Sequence, residues 1–99
     1  MANLLQETLD ALNVNTIDEA VQIIDWAKVY IDIDNGKVKQ CVVPPDSSYA
    51  DIREFLNSID EDYNNYCVRQ VVFGTIMMTD GSWLEHSDYG WTHRGIPMF

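Results

Sequence analysis

The first 27 residues combine helix-capping signals with apolar side chains at helical spacing. Asn3 stands three residues ahead of a glutamine, which is the spacing of a capping box. Three leucines then follow on one helix face: Leu5, Leu9 and Leu12. This pattern predicts a short helix that ends near Asn13. Thr16 and Glu19 form a second capping box ahead of another apolar stretch, which predicts a second short helix.

From Trp26 the apolar residues alternate with polar ones, which is the period of a strand. The alternation runs into Asn35 and Gly36, a strong hairpin signal because both residue types tolerate the positive φ angles of a type I′ turn. That turn predicts four cross-strand pairs: Asp34 with Lys37, Asp32 with Lys39, Ile33 with Val38 and Val29 with Val42. Opposite charges would then share one face of the hairpin and apolar residues the other.

The centre of the chain predicts a third helix. Pro44 and Pro45 end the preceding strand, and Ser48 with Asp51 has the spacing of a helix cap. The apolar positions of the helix form one stripe: Ile52, Phe55, Leu56 and Ile59.

The C-terminal third predicts an antiparallel meander. Residues 67–79 are rich in Val, Ile and Met, and Asp80 with Gly81 signals a second tight hairpin. A two-residue turn predicts these pairs: Met78 with Trp83, Met77 with Leu84 and Thr75 with His86. Gly90 offers a further turn before a last strand. We therefore predict a single α+β domain over residues 1–99. It contains an antiparallel sheet of about four to five strands, with two tight hairpins and two to three helices packed on one face.

The composition argues against some classes of function. The 99 residues are 46% hydrophobic, which is enough for one core. Sixteen acidic residues against six basic ones give a net charge of -10. Contacts to phosphate groups need clustered Lys and Arg, so this charge argues against direct binding to nucleic acid and against adhesion to anionic membranes.

Two further features bear on the compartment. The N-terminus lacks the basic region and long apolar run of a signal peptide, so we expect a cytoplasmic protein. The longest apolar runs are also far too short to span a bilayer. Cys41 and Cys67 are separated by 25 intervening residues with no CxxC motif, which favours reduced thiols packed as small apolar groups over a disulfide.

The sequence contains no motif that names a reaction. A nucleophile elbow, a glycine-rich phosphate loop, HExxH and paired cysteines are all missing from it. His86 and His93, on adjacent predicted strands, are the best candidates for a metal or general-base site. However, Glu85 and His86 point to opposite faces of one strand and cannot converge. We predict no enzymatic activity, no cofactor and no metal.

The acidic residues are the main functional signal. Residues 1–27 contain five acids and no base, and residues 46–62 contain six acids with Arg53 alone. Two interpretations stay open: a solvated surface, or a negative face that enters a basic groove and competes with DNA or RNA for its Lys and Arg side chains. The candidate partner-binding residues are Asp51, Glu54, Asp60, Glu61 and Asp62, followed by Asp18, Glu19 and Asp25, with Trp91 as an aromatic anchor.

Several short runs resemble a group of small phage and prophage proteins that have a W-L-E-R/H segment and a last strand containing Trp. The runs are G-T-I at 74–76, D-G-S-W-L-E-H at 80–86, Y-G-W at 89–91 with the later Pro97, and N-L-L-Q-E-T-L at 3–9. The central segment leading to Phe55 and Leu56 is also similar. The resemblance implies a phage origin. By class, short acidic phage proteins without enzyme motifs are similar to anti-CRISPR and other antidefence inhibitors.

Our leading hypothesis is a phage-encoded inhibitor acting in the host cytoplasm. It would bind a host defence protein, a CRISPR–Cas effector subunit in the first instance, and occlude its DNA- or RNA-binding surface with Asp and Glu side chains. The alternative is a non-enzymatic structural or scaffolding phage module that self-associates through the sheet edge or the Trp91 region. The oligomeric state is left open.

Overall fold

The computed structural model describes residues 2–34, 37–63, 71–87 and 90–95. The helices are α1 (Leu4–Leu12), α2 (Ile17–Val21) and α3 (Tyr49–Ser58). The strands are β1 (Ala2–Asn3), β2 (Ile24–Asp34), β3 (Lys37–Val43), β4 (Asp62–Tyr63), β5 (Val72–Met78), β6 (Trp83–Ser87) and β7 (Gly90–Arg94). The predicted start of a strand at residue 67, the turn at Asn35 and Gly36, and Tyr89 lie outside the described residues.

The helix caps read from the sequence are confirmed. The Asn3 side chain accepts a hydrogen bond from the Gln6 amide, and α1 ends at Asn13 in the left-handed conformation with φ 59°. Thr16 caps α2 by accepting from the backbone of Glu19. The Ser48 cap of α3 is a full capping box. These caps satisfy backbone N–H groups that have no partner inside a helix, which is why each helix begins where it does.

The predicted α+β fold is confirmed. Five strands form one antiparallel sheet in the order β3-β2-β5-β6-β7. A second sheet, which the sequence did not predict, pairs β1 with β4. This small sheet brings the start of the chain beside the end of α3, because Ala2 pairs with Tyr63 and Asn3 with Asp62.

The register of the first hairpin differs from the prediction. Asp34 does pair with Lys37, but an irregularity between Asp32 and Asp34 shifts every pair beyond it by one residue. Three predicted pairs are therefore wrong, and the observed ones are Asp32 with Val38, Ile31 with Lys39 and Val29 with Cys41. A bulge inserts one extra residue in one strand, so side chains beyond it change face relative to the partner strand. As a result Val38 and Val42 are exposed rather than buried.

The register of the second hairpin is also one residue away from the prediction. Met77, not Met78, pairs with Trp83, and Gly74 pairs with His86. The Met78 amide donates to the Ser82 carbonyl and the Gly81 amide donates to the Met78 carbonyl, so the loop has three residues, 79–81. Gly81 takes φ 91° at its end. This is the three-residue loop that closes a type I turn with a left-handed glycine.

The helices and the large sheet share one hydrophobic core. It contains buried residues of α1, α2 and α3 together with alternate strand residues such as Val29, Ile76 and Leu84. Cys41 is a buried free thiol in this core. We call the side of the sheet opposite these core residues the open face. It carries the remaining alternate residues, among them Phe73 and Trp83. A Cβ at Gly74 would lie 2.6 Å from the Lys28 carbonyl oxygen, so β5 and β2 approach closely there.

Candidate partner-binding surface

The two predicted acids of α3 are both exposed, but they have different roles. One Asp51 carboxylate oxygen accepts from the Ser48 amide at 3.3 Å, so Asp51 completes the helix cap. Glu54 makes no hydrogen bond or ion pair with the described residues. Glu54 is therefore the member of this pair whose charge can be changed without removing a structural contact.

The acids that follow α3 are organised by Asn3 and Lys39. The Asn3 side-chain amide donates to Asp60 and to Asp62, each at 2.9 Å, and both carboxylates are exposed. Glu61, half-buried between them, accepts from Lys39 at 2.7 Å. Two carboxylates are thus held beside a neutral amide, whereas the third is already neutralised by a lysine.

The second acidic group is linked to the first through Arg53. Asp18 on α2 forms an ion pair with Arg53 on α3. Glu19 accepts from the Thr16 hydroxyl at the start of α2. Asp25 is exposed near the start of β2. The α2 acids therefore stand next to α3, and one of them already has a cation.

Trp91 is better placed for packing than for binding a partner. The sequence offered it as an aromatic anchor, but the side chain is half-buried and packs against the core. Its indole N–H donates to the Thr8 hydroxyl at 2.9 Å. Because both the polar atom and much of the ring are engaged, Trp91 joins β7 to α1 inside the protein.

Trp91 belongs to a set of polar contacts that the sequence did not predict, although it singled out His86 and Trp91 separately. We call this set the buried polar cluster: the buried residues Thr8 and His86, with the half-buried Glu7, Tyr63 and Trp91 around them. The Tyr63 hydroxyl donates to Glu7, and His86 Nε2 lies 3.7 Å from the same Glu7 oxygen. The His86 and Trp91 rings meet edge-to-face at 4.8 Å. One signal in the sequence could have indicated this cluster. Thr8 is a polar residue on the apolar face of α1, between Leu4 and Leu12.

The ionisation of this cluster follows from its burial. Burial lowers the pKa of His86 below its ordinary value, and Glu7 opposes that shift without cancelling it. Burial also raises the pKa of Tyr63, with the hydrogen bond to Glu7 and its charge adding to the effect. Asp80 lies apart from the cluster, in the second hairpin, where the Ser82 hydroxyl and amide lower its pKa.

The two histidines do not form a joint site. His86 stands opposite Trp91, whereas His93 stands opposite Leu84 and is exposed. Glu85 is exposed and His86 buried, which agrees with opposite faces of β6. Among the described residues, no group of three or more His, Cys, Asp and Glu side chains could hold a metal ion.

Charge is distributed unequally between the open face and the helical segments. Among the described residues, the open face carries Lys28, Asp32, Glu85 and Arg94, two charges of each sign. The segments 3–21 and 46–62, which hold the helices, carry ten acids and Arg53 as their one base. The excess negative charge therefore belongs to the helical segments.

An open cleft of about 450 Å³ runs between α3 and β3. One wall is formed by consecutive residues 40–44, and the other by a single stripe of α3: Asp51, Glu54, Phe55 and Ser58. Residues 40 and 42 belong to the open face and residues 41 and 43 to the core side, so the cleft follows the outer edge of β3.

Comparison with known proteins returns no relative. No protein-family model, curated protein or solved structure matches the chain. The resemblance to small phage and prophage proteins accordingly stays a prediction. No helix in the described part of the chain is both long and apolar enough to cross a membrane.

Proposed function

We propose that the chain is a non-enzymatic, phage-encoded inhibitor that binds the basic nucleic-acid groove of a host defence complex. A CRISPR–Cas effector subunit is the first target to test, by analogy with the class of short acidic phage proteins. The carboxylates of the helical segments would take the place of DNA or RNA phosphates against Lys and Arg side chains.

The unequal charge distribution is the observation that carries this proposal. If the negative charge served solubility alone, an excess of acids would be expected on the open face as well. The described charges of the open face instead balance. A concentrated negative field on one side steers association with a basic partner and raises its rate. Asn3 holds two carboxylates close together, which adds to the local density of negative charge. Bringing like charges together is unfavourable, so a basic partner that neutralises them would be favoured at this place.

A pull-down from bacterial lysate carrying CRISPR–Cas systems tests the proposal, with washes of increasing salt and mass spectrometry of the retained proteins. We expect a nucleic-acid-binding effector to be retained at low salt, lost as salt rises, and displaced by added DNA or guide RNA. Retention that DNA, RNA and salt all leave unchanged would contradict electrostatic occlusion.

Two charge reversals of equal size locate the surface, with the difference that Glu85, unlike Glu54, already contacts Trp83 and Arg94. Glu54→Lys and Glu85→Lys both change the net charge from -10 to -8, since each replaces one negative charge with one positive charge. Glu54 belongs to α3 and Glu85 to the open face. We expect Glu54→Lys to weaken binding of the captured effector about tenfold or more and Glu85→Lys to leave it nearly unchanged. Equal effects would mean that only net charge matters.

One observation favours the alternative, a structural module without inhibitory activity. Apolar side chains are exposed on the edge strand β3, which is a usual site of strand-to-strand association. A chain that retains no host protein in the pull-down but self-associates would support that function.

A further inference from the structure

The edge strand β3 has the features of a pairing site. It ends the sheet order, and within the described residues its one strand neighbour is β2. The outer edge of such a strand presents unpaired N–H and C=O groups to any extended segment that approaches. Proteins usually disfavour this pairing with charged side chains, prolines or short strands.

The open-face side chains of β3 do not disfavour pairing. Val38 is 54% exposed and Val42 is 48% exposed, with Gln40 between them. All three stand on the open face, and none of them is charged. A second strand laid along this edge would cover both valines, and apolar cross-strand pairs stabilise a sheet.

The other side of the β3 edge is acidic. Asp51 and Glu54 line the cleft that follows the edge, and none of the described residues that line it is basic. An extended segment seated here should therefore carry a basic side chain toward α3 and apolar side chains toward the open face.

The strand β3 itself has that pattern. Its core-side positions include Lys37 and Lys39, and its open-face positions include Val38 and Val42. Lys39 already binds Glu61, whereas Lys37 is exposed. If two copies pair antiparallel about Gln40, Val38 of one copy lies opposite Val42 of the other. Lys37 then lies opposite Val43, on the side where Asp51 and Glu54 stand, and no two like charges face each other.

We propose that two copies of this chain pair edge to edge through β3, antiparallel about Gln40, so that the two sheets become one sheet of ten strands. The pairing holds for an inhibitor and for a structural module alike, so it does not rest on the proposed function. A single pair of edge strands contributes a small interface, and the dimer is accordingly a weak one.

Sedimentation equilibrium over a range of protein concentrations tests the dimer. The double variant Val38→Lys with Val42→Lys sets lysines opposite each other in this register, so we expect self-association to weaken about 100-fold or more. Phe73→Lys is the control for a single added lysine on the open face, because Phe73 is also 48% exposed there but lies on the inner strand β5. It should leave the dimer intact. A wild-type chain that stays monomeric at millimolar concentration overturns the proposal, as does an equal loss in Phe73→Lys.

Two further variants test the register. Gln40→Cys should form a disulfide-linked dimer under mild oxidation, because residues on the two-fold axis of antiparallel strands have Cα atoms about 4.5–5.5 Å apart, within the range that a disulfide spans. Thr92→Cys is the control at the opposite edge of the sheet. Cross-linking through Thr92 and not Gln40 would assign the interface to β7 instead.

Lys37→Glu should weaken the dimer, and adding Glu54→Lys should restore it; failure to restore it excludes the Lys37–Glu54 contact.

Discussion

The two edges of the large sheet are protected very differently. At the β7 edge, α1 contacts the strand and Trp91 is tied to Thr8 beneath it. The side chains that β7 leaves exposed are polar or charged: Thr92, His93 and Arg94. At the β3 edge, α3 contacts the strand but an open cleft remains, and two valines face solvent.

The β7 edge therefore stabilises the fold, whereas the β3 edge is available for association. The β7 edge is short, polar and anchored by the buried polar cluster, so substitutions there should cost stability. The β3 edge contributes Cys41 and Val43 to the core but leaves Val38 and Val42 in water, so substitutions of those valines should cost association and not stability.

Trp91→Ala should give the largest loss. It removes a ring that packs against the core and the donor to Thr8, and we expect the free energy of unfolding to fall by about 3 kcal/mol. Urea denaturation measures it. Trp83→Ala, on the open face, is the comparison and should cost less. Equal losses would show that Trp91 does not anchor β7.

Thr8→Val should have a smaller effect. It keeps the side-chain shape but removes the hydroxyl that accepts from Trp91, which leaves that indole N–H without its acceptor. We expect a loss of about 1–2 kcal/mol in the free energy of unfolding. Thr92→Val, exposed on β7, should be close to neutral, and a loss of similar size there would point to a general effect on the strand.

Acidification should lower the free energy of unfolding through His86, which lies opposite β7. Glu7 of α1 and Tyr63 of β4 face His86, and burial holds its pKa below the ordinary value of 6.5. Below that pH the unfolded chain binds more protons than the folded one, so stability is complete above about pH 6.5 and falls as the pH drops. Denaturation midpoints measured from about pH 7.5 to about pH 5.5 should fall in wild type and fall less in His86→Gln. His93→Gln should keep the wild-type slope; if it alone flattens the slope, His86 is not the titrating group.

Val38→Thr with Val42→Thr should have the smallest effect on stability. Both side chains are exposed on an edge strand, so the free energy of unfolding should change by no more than about 0.5 kcal/mol. The same variant should reduce self-association, which sedimentation measures. A loss well above 1 kcal/mol would mean that the β3 edge is part of the core after all.

Local signals predicted the elements well. The caps at Asn3, Thr16 and Ser48 located three helices, because a cap depends on residues only three positions apart. Strand alternation and turn residues located the two hairpins and the final strand for the same reason. The acids of α3 were also correctly expected to be exposed, since the apolar stripe of the helix leaves one face for them.

Register and long-range contacts were not predictable in the same way. A bulge near Asp32 and a third loop residue at Thr79 each changed the pairing by one position. The competing registers differ only in which side chains the core buries. The buried polar cluster joins residues from α1, β4, β6 and β7, and no spacing along the chain relates them.

The sequence by itself determined where the three helices and the five strands of the large sheet occur, that the charge is strongly negative, and which acids lie outside the apolar stripes. The tertiary structure decided which acids are already neutralised, as Lys39 does for Glu61 and Arg53 for Asp18. It also decided that Trp91 is an internal anchor and that Val38 and Val42 are exposed. Capping and amphipathicity depend on neighbours within one turn or one strand, whereas burial and charge pairing depend on segments far apart in the chain that meet only when the core forms.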